Sequence, residues 1–262
     1  MTNTGIEKLQ NLQQRIINLG EYPWRIDDPD KILFTQNEGL FIIECYVCPM
    51  ADYFSDILTV LCDPDVAYNL SKLVFRCPDE GANGTTNYDF TELINRDVIF
   101  ANLTEFFVEP YLPDYGNHPI IAYSLEEEGM ISKLFNKMPN LLFLTLSNAP
   151  NALFFEGQSH PLKYLRLDAG YFHENFILNL GQSNRFLNLR HLDFGEFNEQ
   201  YLDKYPDECT PFDHYIALFQ SKVFEKLNVF TLRNSVMTQE QIQELRLLNK
   251  NVDFNLVYSD KD

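Results

Sequence analysis

The sequence LLFLTL at residues 141–146 decides the fold of this chain, because its pattern of apolar residues returns twice farther on. The later copies are LKYLRL at residues 162–167 and LRHLDF at residues 189–194. Each copy follows the template L-x-x-L-x-L, and the segment between two copies is long enough to cross back over a sheet. One such strand cannot bury its apolar side alone. We therefore expect neighbouring copies to lie side by side as parallel strands.

Further copies extend the pattern in both directions. LSKLVF at 70–75, LTEFFV at 103–108 and LNVFTL at 227–232 fit with aromatic or β-branched substitutions, and VDFNL at 252–256 looks like a shortened last strand. Two of the five spacings between complete copies fall within the roughly 20–29 residues of a leucine-rich repeat, and the other three carry insertions. The chain therefore resembles the leucine-rich repeat superfamily.

The resemblance implies an α/β solenoid with a parallel sheet on the concave face and helices on the convex face. We expect residues 1–66 to form an N-terminal helix and strand cap, and residues 67–262 to form the irregular repeats. The segments PDEGANGT at 78–85 and FVEP at 107–110 also resemble those of uncharacterised bacterial cytosolic leucine-rich repeat proteins. This resemblance implies no biochemical activity for the chain. The ninth template position usually holds Asn or Cys, and its different occupants predict irregular turns: Pro78, Tyr111, Ala149, Gly170, Phe197 and Ser235.

Helical patterns occur before and between the repeats. Residues 6–17 place apolar side chains on one face of a helix. Thr238 and Gln241 have the spacing of a capping box at the start of a second helix, and Ser124 and Glu127 have the same spacing ahead of a third. A helix between successive strands lets the next strand run parallel.

The template also predicts which side chains share a face of the sheet. Positions one, four and six point into the core, so positions three, five and seven lie on the concave face, and equal positions form columns across parallel strands. Aromatic and charged members of these columns are the candidate partner-binding residues: Glu105, Phe107, Glu109, Phe143, Tyr164, Arg166, Asp168, His191, Asp193 and Arg233. Exposed aromatic and arginine side chains are typical of binding hot spots. The alternative is that the insertion at 110–124 covers the rings and makes them core.

Charge is the strongest compositional signal, since 38 acidic and 20 basic residues give a net charge of −18. A surface of this sign repels nucleic acid and anionic lipid, which bind clustered Lys and Arg. It also steers a basic protein toward the chain, although acidity can serve solubility alone. The N-terminus lacks a basic cap followed by an apolar run, and the five Cys have no framework spacing. We therefore expect a reduced, cytoplasmic protein.

Motifs for metal binding are weak. Cys45 and Cys48 have the C-x-x-C spacing of redox and zinc sites, but residues three apart in a strand face opposite sides. Residues 79–89 are rich in oxygen ligands but lack the residue order of an EF-hand, which favours a turn-dense loop over a calcium site.

We expect a non-enzymatic protein-binding module that uses no metal and no cofactor. The more specific hypothesis is an acidic inhibitor or immunity-type protein that sequesters a basic partner such as a toxin nuclease. One alternative is a hydrolase or metal-dependent enzyme centred on His191, Asp193 and Asp168. Another is a structural or oligomeric scaffold whose columns face a second copy. The acidic insertion at 203–213 is either a solvated loop or a docking site for a basic partner.

Overall fold

The computed structural model describes residues 4–19, 30–76, 84–109, 117–124, 126–197, 202–249 and 251–258. The chain divides into two compact units, Met1–Leu141 and Leu142–Asp262. Both contain helices and parallel strands, which confirms the predicted α/β class. The predicted boundary between an N-terminal cap and the repeats, after residue 66, stays a prediction. The division after Leu141 separates two compact units and does not distinguish a cap from repeats.

The first unit opens with an amphipathic helix, as the sequence predicts, and buries Leu9, Leu12 and Ile16. Helices and strands then follow one another. In chain order the elements are α1 (Thr4–Leu19), β1 (Lys31–Asn37), β2 (Leu40–Tyr46), α2 (Phe54–Leu61), α3 (Pro64–Asn69), β3 (Leu70–Arg76), β4 (Gly84–Asn87), α4 (Thr91–Asn95), β5 (Glu105–Val108), β6 (Asn117–Ile120) and α5 (Met130–Phe135).

The main sheet of the first unit has the strand order β1-β2-β3-β5. Strands β1 and β2 form an antiparallel hairpin, whose turn needs the left-handed backbone of Glu38 (φ 51°) and Gly39 (φ 85°). From β2 onward the strands run parallel, with Lys72 opposite Glu105 and Val74 opposite Phe107. The two template copies at 70–75 and 103–108 therefore pair in the predicted register.

Two local predictions in the first unit are wrong. Helix α5 does not begin with a Ser124 capping box: its N-cap is Gly129 at φ 80°, and the buried Glu127 carboxylate accepts the N–H groups of Gly129 and Ile131 instead, at 3.0 and 2.5 Å. Residues 84–87, expected in a turn-dense loop, form β4 and pair in parallel with β6 in a second sheet. Residues 79–83 of that segment lie outside the described residues.

The second unit repeats strand and helix more regularly. Its elements are β7 (Phe143–Leu146), a 3-10 helix (Ala152–Phe155), β8 (Tyr164–Asp168), α6 (Phe176–Gln182), β9 (His191–Gly195), α7 (Phe212–Phe219), a 3-10 helix (Phe224–Lys226), β10 (Val229–Arg233), α8 (Gln239–Leu248) and β11 (Asp253–Val257). The capping box predicted for Thr238 and Gln241 is present at the start of α8.

All pairings from β7 to β11 are parallel and without register shifts. Template positions four and six form the core beneath this sheet, and the side chains of Leu144, Leu165, Leu192 and Phe230 are at most 1% exposed. Positions three, five and seven alternate with them and lie on the opposite side, which we call the odd-position face. The parallel, in-register arrangement expected for these copies is confirmed.

Helices α6 and α7 approach each other closely at Gly181, where an added Cβ would lie 3.1 Å from the Leu218 Cα. This small residue lets consecutive helices pack side by side on the second unit. None of the helices in the described part of the chain combines the length and the apolar composition needed to cross a bilayer.

Candidate functional site

Ring side chains line up across β7, β8 and β9 on the odd-position face of the second unit. Phe143 lies opposite Tyr164, and Tyr164 lies opposite His191. Their ring centroids are 6.3 and 4.8 Å apart, respectively. Phe143 is 39% exposed, and the other two side chains are half-buried. These three residues, named here the ring ladder, therefore lie in a row on one face of the sheet, as the sequence predicts, and each side chain is partly exposed.

A charged cluster of Arg166, Asp168, Asp193 and Arg233 lies beside the ring ladder on β8, β9 and β10. Arg233 makes most of the contacts: its Nη1 lies 2.7 Å from Asp168 Oδ1, and its Nε donates to Asp193 Oδ1 at 2.6 Å. Its Nη2 donates to the Leu167 carbonyl oxygen at 3.0 Å. Arg166 lies opposite Asp193 in the register, but its Nε is 3.9 Å from Asp193 Oδ2. Asp193 is therefore held mainly by Arg233, whereas the sequence pointed to Arg166.

Gly195 makes room for the central ion pair of this cluster. It lies between Asp168 and Arg233 in the seventh-position column. A Cβ at Gly195 would lie 2.5 Å from Asp168 Oδ1 and 2.7 Å from Arg233 Nη1. Real Cβ atoms do not approach other atoms that closely, so an alanine here would force the Asp168 carboxylate or the Arg233 guanidinium to shift.

Burial dominates the electrostatics of the cluster. It raises the pKa of Asp168 above its ordinary value, although the positive charge of Arg233 works in the opposite direction. Burial lowers the pKa of the Arg233 guanidinium, but the carboxylates of Asp168 and Asp193 together outweigh it, so that this pKa is raised. Burial, then the nearby Asp193, raises the pKa of the Tyr164 phenol. Arg233 therefore stays charged and holds both carboxylates.

The predicted residues of the first unit lie on the odd positions of β5 or just after it. Glu105 pairs with Lys72, whose Nζ is 3.1 Å from Glu105 Oε2 and 5.1 Å from the centre of the Phe107 ring. Glu109 receives two hydrogen bonds from Arg76, at 2.7 and 3.2 Å. Glu105 and Glu109 therefore carry internal ion pairs, and Phe107 packs under an ammonium group.

The structure adds little support for a metal or redox site at Cys45 and Cys48. Cys45 lies in β2 and Cys48 follows the strand, and both are buried. Burial, and secondly the charge of Glu44, raises the pKa of the Cys45 thiol, so its thiolate form is disfavoured. Across the described residues, no group of three or more His, Cys, Asp or Glu side chains is placed to hold a metal ion.

The insertion at 110–124 was the alternative that would bury the ring ladder. Residues 110–116 lie outside the described residues, and residues 117–120 form β6 beside β4. Phe143 keeps its exposed surface. That alternative stays a prediction, because part of the insertion lies outside the described residues.

Sequence reasoning missed a buried polar group directly after β9. Glu196 is 3% exposed, its carboxylate accepts a hydrogen bond from the Tyr215 hydroxyl, and the Thr210 N–H donates to it at 3.2 Å. Burial raises the pKa of Glu196, although these hydrogen bonds favour the charged form. The signal that could have found it is an acidic residue within an otherwise apolar stretch, since Phe194 and Phe197 flank it closely.

The sequence matches no protein-family model and no curated protein.

Proposed function

We propose that this chain is a non-enzymatic protein-interaction module of the leucine-rich repeat kind, whose second unit binds a basic protein in the cytosol. The in-register copies of L-x-x-L-x-L support the repeat assignment, because they form adjacent parallel strands with one apolar and one polar side. A sheet of this type holds the exposed side chains in fixed positions. Binding then costs little conformational entropy.

The observation that carries the proposal is the partly exposed ring ladder. Aromatic side chains anchor interfaces because they bury a large area and have few rotatable bonds. Phe143, Tyr164 and His191 are already ordered by contact with one another. A partner that covers them gains apolar burial without having to order them.

The charged cluster gives the same surface a means of selecting its partner. Arg233 is 18% exposed and already bonded to two carboxylates, whereas the Arg166 side chain is 40% exposed and held by one contact of 3.9 Å. Arg166 is therefore able to turn toward a partner's carboxylate. Once it turns, Asp193 Oδ2 can receive a partner's cation.

The net charge of −18 supports a basic partner, since opposite charge accelerates encounter. A nuclease toxin is one class with the required surface, because an enzyme that binds nucleic acid carries clustered Lys and Arg. An inhibitor or immunity-type role is the specific form of the proposal. The hydrolase alternative requires Asp168 and Asp193 as base or ligand, and both carboxylates are instead paired with Arg233.

Salt-graded capture tests the proposal. The immobilised chain is exposed to a lysate at about 50 mM salt and eluted in steps to about 500 mM, a range over which screening of exposed charges becomes strong. We expect basic proteins to be retained at low salt and released as salt rises. The double variant Phe143→Ala/Tyr164→Ala should lose them, whereas Phe172→Ala, an aromatic residue that is 51% exposed but off the ring ladder, should retain them. Retention of only acidic or neutral proteins, or equal retention by the double variant, would contradict the proposal.

A further inference from the structure

Strand β11 forms an open edge of the sheet in the second unit. It pairs with β10, and within the described residues no strand pairs with its other side. Exposed backbone N–H and C=O groups on such an edge are a template for another strand. Its core-facing positions are apolar: Phe254 and Leu256 are half-buried, whereas their register partners Phe230 and Leu232 are fully buried.

The hydrogen bonds to β10 show which backbone groups of β11 point outward. The Asp253 N–H donates to the Asn228 carbonyl at 2.9 Å, and the Val257 carbonyl accepts from the Asn234 N–H at 2.8 Å. In a parallel ladder the two backbone groups of one residue point to the same side, and alternate residues point to opposite sides. Asp253, Asn255 and Val257 therefore bond to β10. The N–H and C=O groups of Phe254 and Leu256 point away from it.

We propose that a second copy of this chain pairs with β11 in antiparallel register, centred on Asn255. Phe254 then lies opposite Leu256 of the other copy and exchanges two backbone hydrogen bonds with it, and the symmetric pair does the same. The side chains of both residues extend the apolar layer under the sheet, because they occupy core-facing positions. The two-fold operation keeps that layer on one side of the combined sheet.

The order of residues in β11 favours a second copy as the occupant. Antiparallel pairing about Asn255 places Asp253 opposite Val257 of the other copy, so the carboxylates do not face each other. Apolar Phe254 meets apolar Leu256, and polar Asn255 meets itself on the odd-position face. The same five residues thus complement themselves without an unfavourable pair.

Charge sets the expected salt dependence of this contact. Each copy carries −18, so two copies repel each other at low ionic strength. Added salt screens that repulsion and should strengthen the pairing. A basic partner on the odd-position face should respond in the opposite direction, which separates this contact from the function proposed above.

Sedimentation equilibrium over a range of protein and salt concentrations tests the pairing. We expect a reversible species of twice the 30.7 kDa chain mass that becomes more populated with salt. Asn255→Asp places like charges directly opposite each other and should weaken the dimer by about fivefold or more, and Asn255→Lys should do the same. A mixture of the two variants should restore it, because the facing charges are then opposite.

The matched control is Thr231→Asp, which changes the register partner of Asn255 one strand inside the edge. It should leave the dimer intact, and so should Tyr164→Ala on the ring ladder. A chain that stays monomeric at about 100 µM and about 500 mM salt would overturn the inference. Open-ended polymers, a dimer indifferent to both Asn255 variants, or a mixture that fails to recover would overturn it too.

Discussion

Asp168 and Arg233 form an ion pair of 2.7 Å across Gly195, although β9 separates the strands that carry them. Two strand spacings place the backbones roughly 9–10 Å apart, which is within reach of an extended arginine. Gly195 leaves space for the pair, because it has no side chain between the two groups. One missing Cβ thus decides how the charged cluster is connected.

Gly195→Ala should destabilise the chain by about 2 kcal/mol, because the new methyl group must displace the Asp168–Arg233 pair. Chemical denaturation at neutral pH measures the change in the free energy of unfolding. In the background Asp168→Ala/Arg233→Ala the same substitution should cost much less, since the atoms that the methyl group meets are gone. An equal cost in both backgrounds would show that the backbone, and not the ion pair, requires glycine.

Arg233→Ala should cost about 3–5 kcal/mol at neutral pH, because it leaves two largely buried carboxylates without their cation. Arg166→Ala, in the same cluster but more exposed and loosely held, should cost about 1 kcal/mol or less. Urea titrations of the two variants provide the comparison. Similar losses for both would contradict the central role given to Arg233.

The cost of Arg233→Ala should also shrink as pH falls. Arg233 lowers the pKa of Asp168, which burial already raises above its ordinary 3.8, so removing Arg233 should raise that pKa further. A carboxyl whose pKa is higher in the folded than in the unfolded state binds protons preferentially when folded, and the folded state gains stability as pH falls. The free energies of unfolding of Arg233→Ala and of the unaltered chain, measured between pH 8 and about pH 4, should therefore approach each other as pH falls.

Glu196 should make stability fall as pH rises above its ordinary pKa of 4.5, because burial raises its pKa in the folded chain. Its favourable contribution is complete below the unfolded pKa and is lost as pH passes through the folded value. Glu196→Gln should flatten this part of the profile of unfolding free energy against pH. Glu196→Ala should instead cost about 1–3 kcal/mol, since the Tyr215 hydroxyl and the Thr210 N–H lose their acceptor. A Gln variant with an unchanged slope would contradict the assignment.

Tyr164→Ala should weaken binding of a captured partner by about 2 kcal/mol or more while changing the melting temperature little, because the side chain is only half-buried. Leu165→Ala, the next residue and fully buried, is the matched control and should cost about 2–5 kcal/mol of stability. Calorimetric titration and thermal unfolding measure the two effects. A large fall in stability for Tyr164→Ala with unchanged affinity would place this ring in the core.

Local structure was predictable where the interacting residues are close in sequence. It was not predictable where a segment pairs with residues far away in the sequence. The Thr238 capping box of α8 was predictable because both hydrogen bonds join residues three apart. Strands β4 and β6 were not, since their few residues carry no apolar alternation and, among the strands that the structure describes, each pairs only with the other, far along the chain. The start of α5 was misplaced because Glu127 supplies the acceptor that the pattern assigned to Ser124.

The spacing of leucines by itself determined that the copies in each unit pair in parallel and in register, and it placed Phe143, Tyr164 and His191 in one row. Side chains alternate between the two faces of a strand, so once the apolar positions face the core, these rings must lie on the opposite face. The pattern along the sequence was therefore sufficient to place them. Only the tertiary structure decided that Asp193 is bonded to Arg233 more closely than to Arg166. Such a choice depends on side-chain reach over neighbouring strands and on the space above Gly195, and neither quantity is contained in the order of residues along a single strand.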